Sequence, residues 1–340
     1  MTVELGIDTF GDVTHDSEGV LLPHAQVVRN VVEEGQLADQ VGLDFMGIGE
    51  HHRADFAVSS PEMVLAGLAT VTERIRLGSA VTVLSSDDPV RIFERWSTLD
   101  ALSNGRAEVI LGRGSFTESF PLFGYPLAQY EDLFEEKLAL WAALRQQPVT
   151  WEGTLTQSLT DQTLYPVPEH GPITTWVAVG GSPHSVVRAA SHGFPLMLAI
   201  IGGAVERFAP FAELHRRALE ELGKDPQPVG YHSFGHVAET DEQAKEELFP
   251  HWLAHMTQLG RERGWSRPSR ASFEHEATYG SMVVGSPETA ARKIAQGVKA
   301  LDAARFDMKV GHGTLPHEQI MTSIELYGTK VAPLVRDMLT

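Results

Sequence analysis

The sequence contains no cysteine. Disulfides, thiolate metal centres and a cysteine nucleophile are all excluded by that one absence. Cations are also scarce: 27 Lys and Arg stand against 45 Asp and Glu, for a formal charge of -18 over 340 residues. No run of Lys or Arg gathers anywhere, and a nucleic-acid surface needs clustered cations, so nucleic acid is not an expected partner. An anionic ligand would have to be held by a local site working against the overall field. No segment approaches the roughly 20 consecutive apolar residues that span a bilayer. The opening stretch MTVELGIDTFGD lacks a charged leader followed by an apolar core, so a cytoplasmic protein without a membrane anchor is the expectation.

What the chain does have is alternation. Short apolar runs that read as strands begin at Val3-Glu4-Leu5-Gly6-Ile7-Asp8, Asp44-Phe45-Met46-Gly47-Ile48-Gly49 and Arg76 to Leu84. They continue at Ala107 to Leu111, Thr175 to Val179, Leu196 to Ile200, Val229 to Val237 and Phe306 to Val310. Between them lie segments of helical period, such as His24 to Val41 with Val27, Val28, Val31, Val32, Ala38 and Val41 at mostly three- and four-residue spacings. Pro61, Pro89, Pro183 and Pro287 suit the first turn of a helix, and Asn104-Gly105 suits a helix end. About eight β-then-α units predict an α/β chain of one domain over residues 1–340, a (β/α)8 TIM barrel. A doubly wound open sheet uses the same units in smaller number. Two stretches break the rhythm and are expected as insertions after the fourth and seventh units. Residues 148–172 are rich in Thr, Pro and Gly and suggest a hairpin, and residues 260–285 are read as irregular.

In such a barrel, chemistry gathers at the C-terminal ends of the strands. After the second strand comes Gly49-Glu50-His51-His52-Arg53, where His51 can exchange a proton near neutrality and Glu50 or His52 can orient it. A solvated loop with one histidine capping the sheet is the plain alternative. Adjacent residues of an extended segment point to opposite sides, so His51 and His52 do not share one ion, and no metal site is expected. After the fourth strand, Arg113 between Gly112 and Gly114 can reach an anion, or pair with one of the many carboxylates. After the fifth, Val179-Gly180-Gly181-Ser182-Pro183-His184-Ser185 offers backbone N–H groups at a helix start, two glycines and two hydroxyls, the makings of a phosphate cradle. Simple N-capping by Ser182 fits the same residues. His251 and His255 in HWLAH have zinc-like spacing, but Trp252 stands where a glutamate belongs, so a helix surface or interface is the reading. Phe10, Phe116 and Phe120 suggest an apolar pocket, or core packing.

Taken together, these motifs resemble the bacterial luciferase and alkanal monooxygenase family. The match is densest from Gly49 to Gly124: GEHH, then RIRLGSAVTVLSSDDPVRIFERWSTLDALSNGRAEVILGRGSFTESFPLFG. The later stretches VAVGGSPHSVVRAASHGFPLML and GHGTLPHEQIMTSIELYGTKVAP are similar to the family's phosphate loop and last helix. The resemblance implies that the chain uses reduced FMN, delivered by a separate flavin reductase, with oxygen to oxidise a small organic substrate. A deazaflavin enzyme and a noncatalytic flavin-binding protein are the alternatives among relatives. It implies that His51 matches the active-site histidine that favours the flavin hydroperoxide, with Glu50 beside it. Arg113, Ser182 and Ser185 match partners of the flavin phosphate, and Val179, Gly180 and Gly181 match the loop around it. Gly181 stands where the luciferase has a glutamate, so backbone must supply part of that contact here. Ala80-Val81 matches a strand end that packs on the flavin through a non-proline cis peptide. Gly112 replaces a reactive cysteine of luciferase, which removes the expectation of light emission. A homodimer is also implied, and the segment after the seventh strand is a candidate lid.

Overall fold

In the computed structural model, which describes residues 3–16 and 18–340, parallel strands alternate with helices until the sheet closes on itself. Strand β1 (Glu4–Thr9) leads to helix α1 (His24–Gln40), and β2 (Phe45–Ile48) to α2 (Pro61–Ala69). Strand β3 (Arg76–Ser79), with the two-residue β4 (Thr82–Val83) beyond it, leads to α3 (Pro89–Ser103). After β5 (Ala107–Gly112) come α4 (Ser119–Phe123), α5 (Tyr130–Leu144) and the antiparallel pair β6 (Val149–Trp151) and β7 (Leu159–Gln162). Next are β8 (Thr174–Val179), α6 (Pro183–Ser191), β9 (Leu196–Ala199) and α7 (Ala209–Glu221). Strand β10 (Val229–Val237) precedes α8 (Asp241–Arg263), α9 (Arg270–Tyr279), β11 (Val283–Gly285) and α10 (Pro287–Leu301). The chain finishes with β12 (Arg305–Lys309), α11 (His317–Leu326) and α12 (Ala332–Leu339).

Around the barrel the order is β1, β2, β3, β5, β8, β9, β10, β12 and back to β1, an eight-strand parallel ring. Closure rests on β12, whose Arg305–Lys309 pairs with Glu4–Asp8 on one side and with Gly230–Phe234 on the other. The expected barrel is therefore present, and the open sheet is excluded by that closure. Each of the eight strands read from the sequence falls on a strand of the ring.

Side chains alternate across each strand, so the barrel builds two separate interiors. Outward residues such as Leu5, Ile7, Met46, Leu77, Val109, Val177 and Leu198 pack under the helices in one continuous apolar core. Inward, Phe45, Ile110, Trp176 and Met197 form a second cluster at the lower end of the ring. That cluster surrounds a buried ionic group. Arg305 pairs with Glu108 and, at 2.9 Å, with Asp307, while its guanidinium lies 3.4 Å from the centre of the Phe45 ring. The plug closes the lower end of the ring, so open space is left only above it, toward the strand C-termini.

Residues 260–285, expected to be irregular, are largely helical. Helix α8 runs on to Arg263, and α9 begins at a capping box between Ser269 and Ser272. The segment ASFEHEATY carries no apolar stripe, and α9 buries little beyond Phe273 and Ala277, which is why periodicity does not announce it.

Candidate active site

A cavity of about 680 Å³ opens at the C-terminal ends of the strands. Its lining repeats at every second residue: Asp8 and Phe10 after it on β1, Ile110 and Gly112 on β5, Met197 and Ala199 on β9, His232 and Phe234 on β10, Asp307 and Lys309 on β12. These are inward positions of the strands, with Ile110, Met197 and Asp307 at the top of the Arg305 plug and the others above it. The cavity is roofed on one side by α8 and the turn after it, through His255, Met256, Leu259, Arg263 and Trp265.

His51 faces this space on the loop after β2 and is held by rings rather than by hydrogen bonds. Phe56 stacks on it at 4.3 Å between centroids, while Phe10 and Phe116 meet it edge-on at 4.8 and 5.3 Å. Among the described residues its side chain has no hydrogen-bond partner, and burial lowers its pKa to about 4. The imidazole is thus uncharged at neutral pH, with one nitrogen free to accept and the other to donate.

Neither neighbour orients it as the sequence suggested. Glu50 Oε1 lies 2.9 Å from His52 Nε2, and Glu50 Oε2 accepts from the Val83 backbone N–H at 2.9 Å. Glu50 and His52 pair with each other because successive side chains alternate, which turns both away from His51. Arg53 binds Asp55, Glu118 and Glu262 at 3.0, 2.6 and 2.7 Å, tying this loop to α8.

Across the ring lies the glycine turn that the sequence suggested as a phosphate cradle. Val179 and Gly180 line the cavity, and Gly181, Ser182 and Ser185 follow at the start of α6. No atom lies within 4 Å of where a Cβ on Gly180 would stand, and Gly181 has φ +119°, a conformation that favours glycine. The Ser182 hydroxyl makes no capping bond, which leaves it and the first backbone N–H groups of α6 available. Arg113 reaches the same place: its Nη2 is 3.4 Å from Ser185 Oγ, and its guanidinium sits over Tyr130 at 5.3 Å. It also pairs with Glu131, which bonds Arg188 at 3.2 Å. Arg113 thus has a carboxylate partner and also stands beside the Ser185 hydroxyl.

Between His51 and the cradle, Ala80 and Val81 form part of the cavity lining, and the peptide joining them is cis. A model of the family described as "Luciferase-like monooxygenase" matches residues 7–304. The chain belongs to the luciferase-like monooxygenase family.

Among its relatives is the alkanal monooxygenase alpha chain of Photorhabdus luminescens, 26% identical over 241 residues, 68% of this chain and 64% of the relative. Solved structures with the same fold include the oxygenating constituent of 3,6-diketocamphane monooxygenase from Pseudomonas putida in complex with FMN. Its TM-score is 0.75 at 20% identity, covering 98% of this chain and 99% of the other. An F420-dependent secondary alcohol dehydrogenase in complex with an F420-acetone adduct gives 0.73 at 16% identity, covering 98% and 99%. The two structures attest the fold, and they hold different coenzymes on it.

Within this luciferase-like barrel, several cavity residues are absent from the motifs. Asp8, His232, Asp307 and Lys309 on the strands and Asp12 just beyond β1 all line the space, together with His312 of the GHGT stretch. The signal of the four on strands is a charged or imidazole side chain inside an otherwise apolar parallel strand, where burial demands a partner or a task. His255 belongs to the cavity as well, 4.8 Å edge-on from His312, so its helix face is no plain surface. His251 turns aside to Thr314 Oγ1 at 2.9 Å, and no set of three or more ligands fit for a metal occurs among the described residues. Phe10 and Phe116 line the cavity, whereas Phe120 is fully buried against Tyr130.

Proposed function

We propose that this chain binds reduced FMN and uses it with molecular oxygen to oxidise a small organic substrate. The observation that carries the reading is the cradle at the cavity rim: open space at Gly180, a free Ser182 hydroxyl, a helix start and Arg113 within reach of Ser185. A phosphate monoester suits that set, since the guanidinium and the backbone N–H groups donate and the serine hydroxyls can turn to donate as well. When bound, the reduced flavin supplies the electrons that activate oxygen. Ala80 and Val81 present an apolar edge to the space between the cradle and His51, where a flat ring system would lie. His51 offers an uncharged imidazole in a wall of phenyl rings, able to take or give a proton without first losing one to solvent. Those rings keep water from the reacting centre. In this reading a separate flavin reductase delivers the FMN, and the chain works as a homodimer.

The test is anaerobic titration with photoreduced FMN, reduced riboflavin and a reduced deazaflavin coenzyme. Reduced FMN is expected to bind about tenfold or more tighter than riboflavin, and Arg113→Ala to erase most of that preference, since a charge-assisted contact contributes roughly 1.5–3 kcal/mol. Binding of the deazaflavin with none of FMN would overturn the reading. So would an FMN preference that survives the loss of Arg113.

A further inference from the structure

The wall formed by β1, β10 and β12 lies across the ring from the phosphate cradle and takes no part in it. Six rings follow one another along this wall. From His51 the path runs to Phe10, His232, Phe234, His312 and His255, with centroid separations of 4.8, 6.1, 5.9, 4.8 and 4.8 Å. Three of the four imidazoles, His51, His255 and His312, make no side-chain hydrogen bond among the described residues, and burial lowers the pKa of each. His312 is nearly fully buried with both ring nitrogens unpartnered. Such groups are uncharged donors and acceptors waiting for oxygen atoms that the protein does not provide.

His232 differs from these three. Its Nδ1 is 2.6 Å from Oδ2 of Asp8, a carboxylate 1% exposed. A carboxylate can only accept, so Nδ1 carries the proton and the lone pair resides on Nε2. No group among the described residues bonds Nε2, and His232 lines the cavity. The charges that face it are few. From β12 come Asp307, paired with Arg305, and Lys309, paired with Asp12; from β1 comes Asp8; β9 contributes only Ala199. Each of these cations has a carboxylate partner, so none opposes a proton on Nε2, and Asp8 is placed to face the imidazolium that results.

We propose that His232, positioned by Asp8, is a general base for an acidic hydroxyl of the substrate, and that the substrate is a phenol. The ring wall suits a flat aromatic body, and the uncharged imidazoles suit its oxygens. In the step, the phenol O–H bond breaks, an N–H bond forms at Nε2, and a phenolate faces an imidazolium–Asp8 pair. The proton returns to product oxygen when the ring has reacted, so no oxidant is consumed in the transfer itself. An ionised ring is richer in electrons and more open to oxygen transfer. The proposal rests on the monooxygenase reading only for the oxygen chemistry that comes after the proton transfer.

The experiment therefore uses the full chain without flavin. Wild type, His232→Gln and Asp8→Asn are titrated with 4-nitrophenol one pH unit below that probe's own pKa, and with 4-nitroanisole, which has no proton to lose. Wild type is expected to bind 4-nitrophenol mainly as the coloured phenolate. His232→Gln should bind it with a phenolate-to-phenol ratio lower by roughly tenfold or more. Asp8→Asn keeps a hydrogen-bonding side chain without the charge, and should fall between the two with affinity for 4-nitroanisole unchanged. A second measurement needs no variant protein to fold: the ¹⁵N signals of His232 in wild type should move toward imidazolium with 4-nitrophenol and stay with 4-nitroanisole. Absence of probe binding, a bound probe that remains neutral in wild type, or equal ionisation by His232→Gln overturns the proposal. A failure of FMN to bind would leave these results untouched.

Discussion

Gly112 stands at the inward end of β5, and a Cβ built there would meet Val81 Cγ2 at 2.5 Å. A side chain on residue 112 therefore competes for space with the valine opposite, and the two residues form one packing unit in the cavity lining. Glycine to alanine at an ordinary strand position is stabilising by about 0.4–1 kcal/mol, because the unfolded chain loses freedom. Here overpacking dominates, and Gly112→Ala is expected to cost roughly 1–3 kcal/mol. Val81→Ala in the same chain should recover most of that loss, since the two sites share the contact. Urea denaturation of the four chains in this cycle measures the coupling. A stable Gly112→Ala, or a coupling near zero, would show that the strand shifts freely and that the pair does not shape the lining.

Among the elements, the strands carry the strongest sequence signal because each is a short apolar run bounded by turn residues, and a buried parallel strand needs nothing else. Helix α9 is nearly silent for the opposite reason, with few buried side chains to set a period. The site divides in the same way. His51, Arg113 and the Gly180-Gly181-Ser182 turn are local motifs on single loops, visible wherever the strand ends are known. Asp8 and His232 are 224 residues apart, and Asp12 and Lys309 are 297 apart, so nothing short of ring closure brings either pair together. The β6–β7 pair shows how one carboxylate can hold an entire element. Glu136 on α5 accepts the backbone N–H groups of Thr154, Leu155 and Thr156 at 2.8 Å each and the Thr156 hydroxyl at 2.7 Å. Burial works against its charge, but these bonds prevail and hold its carboxyl below the usual range. Glu136→Ala should loosen residues 149–162 locally, seen as faster amide exchange there, at a cost of about 1–3 kcal/mol. Flavin binding should be unchanged, because Glu136 is not among the residues that line the cavity; faster exchange spread through the barrel would mean that the pair is part of the core.

At the scale of the whole molecule, the protein carries a formal charge of -18 and yet keeps its cavity wall nearly free of unpaired charge. Lys309 is matched by Asp12 and Arg305 by Glu108 and Asp307, while the His51, His255 and His312 rings are kept neutral by burial. No helix among the described residues is long and apolar enough to cross a membrane. Neutral histidines have a thermodynamic consequence. The unfolded chain takes up a proton at His51 near pH 6.5, whereas the folded chain resists until about pH 4. Between those values the unfolded state binds more protons, so stability falls as the pH falls through this window. At about 1.4 kcal/mol per pH unit, the contribution of this one residue is roughly 3 kcal/mol by pH 4. Other groups titrate in the same range, and Asp307, raised to about 6 by burial, acts in the opposite sense. The difference between two chains removes them. Relative to wild type, His51→Leu should gain about 3 kcal/mol of stability between pH 7 and pH 4, read from denaturation curves at each pH. A difference that stays flat across that range would mean that His51 is charged or solvated in the folded protein. Its place as an uncharged acid–base group in a dry wall would then be lost with it.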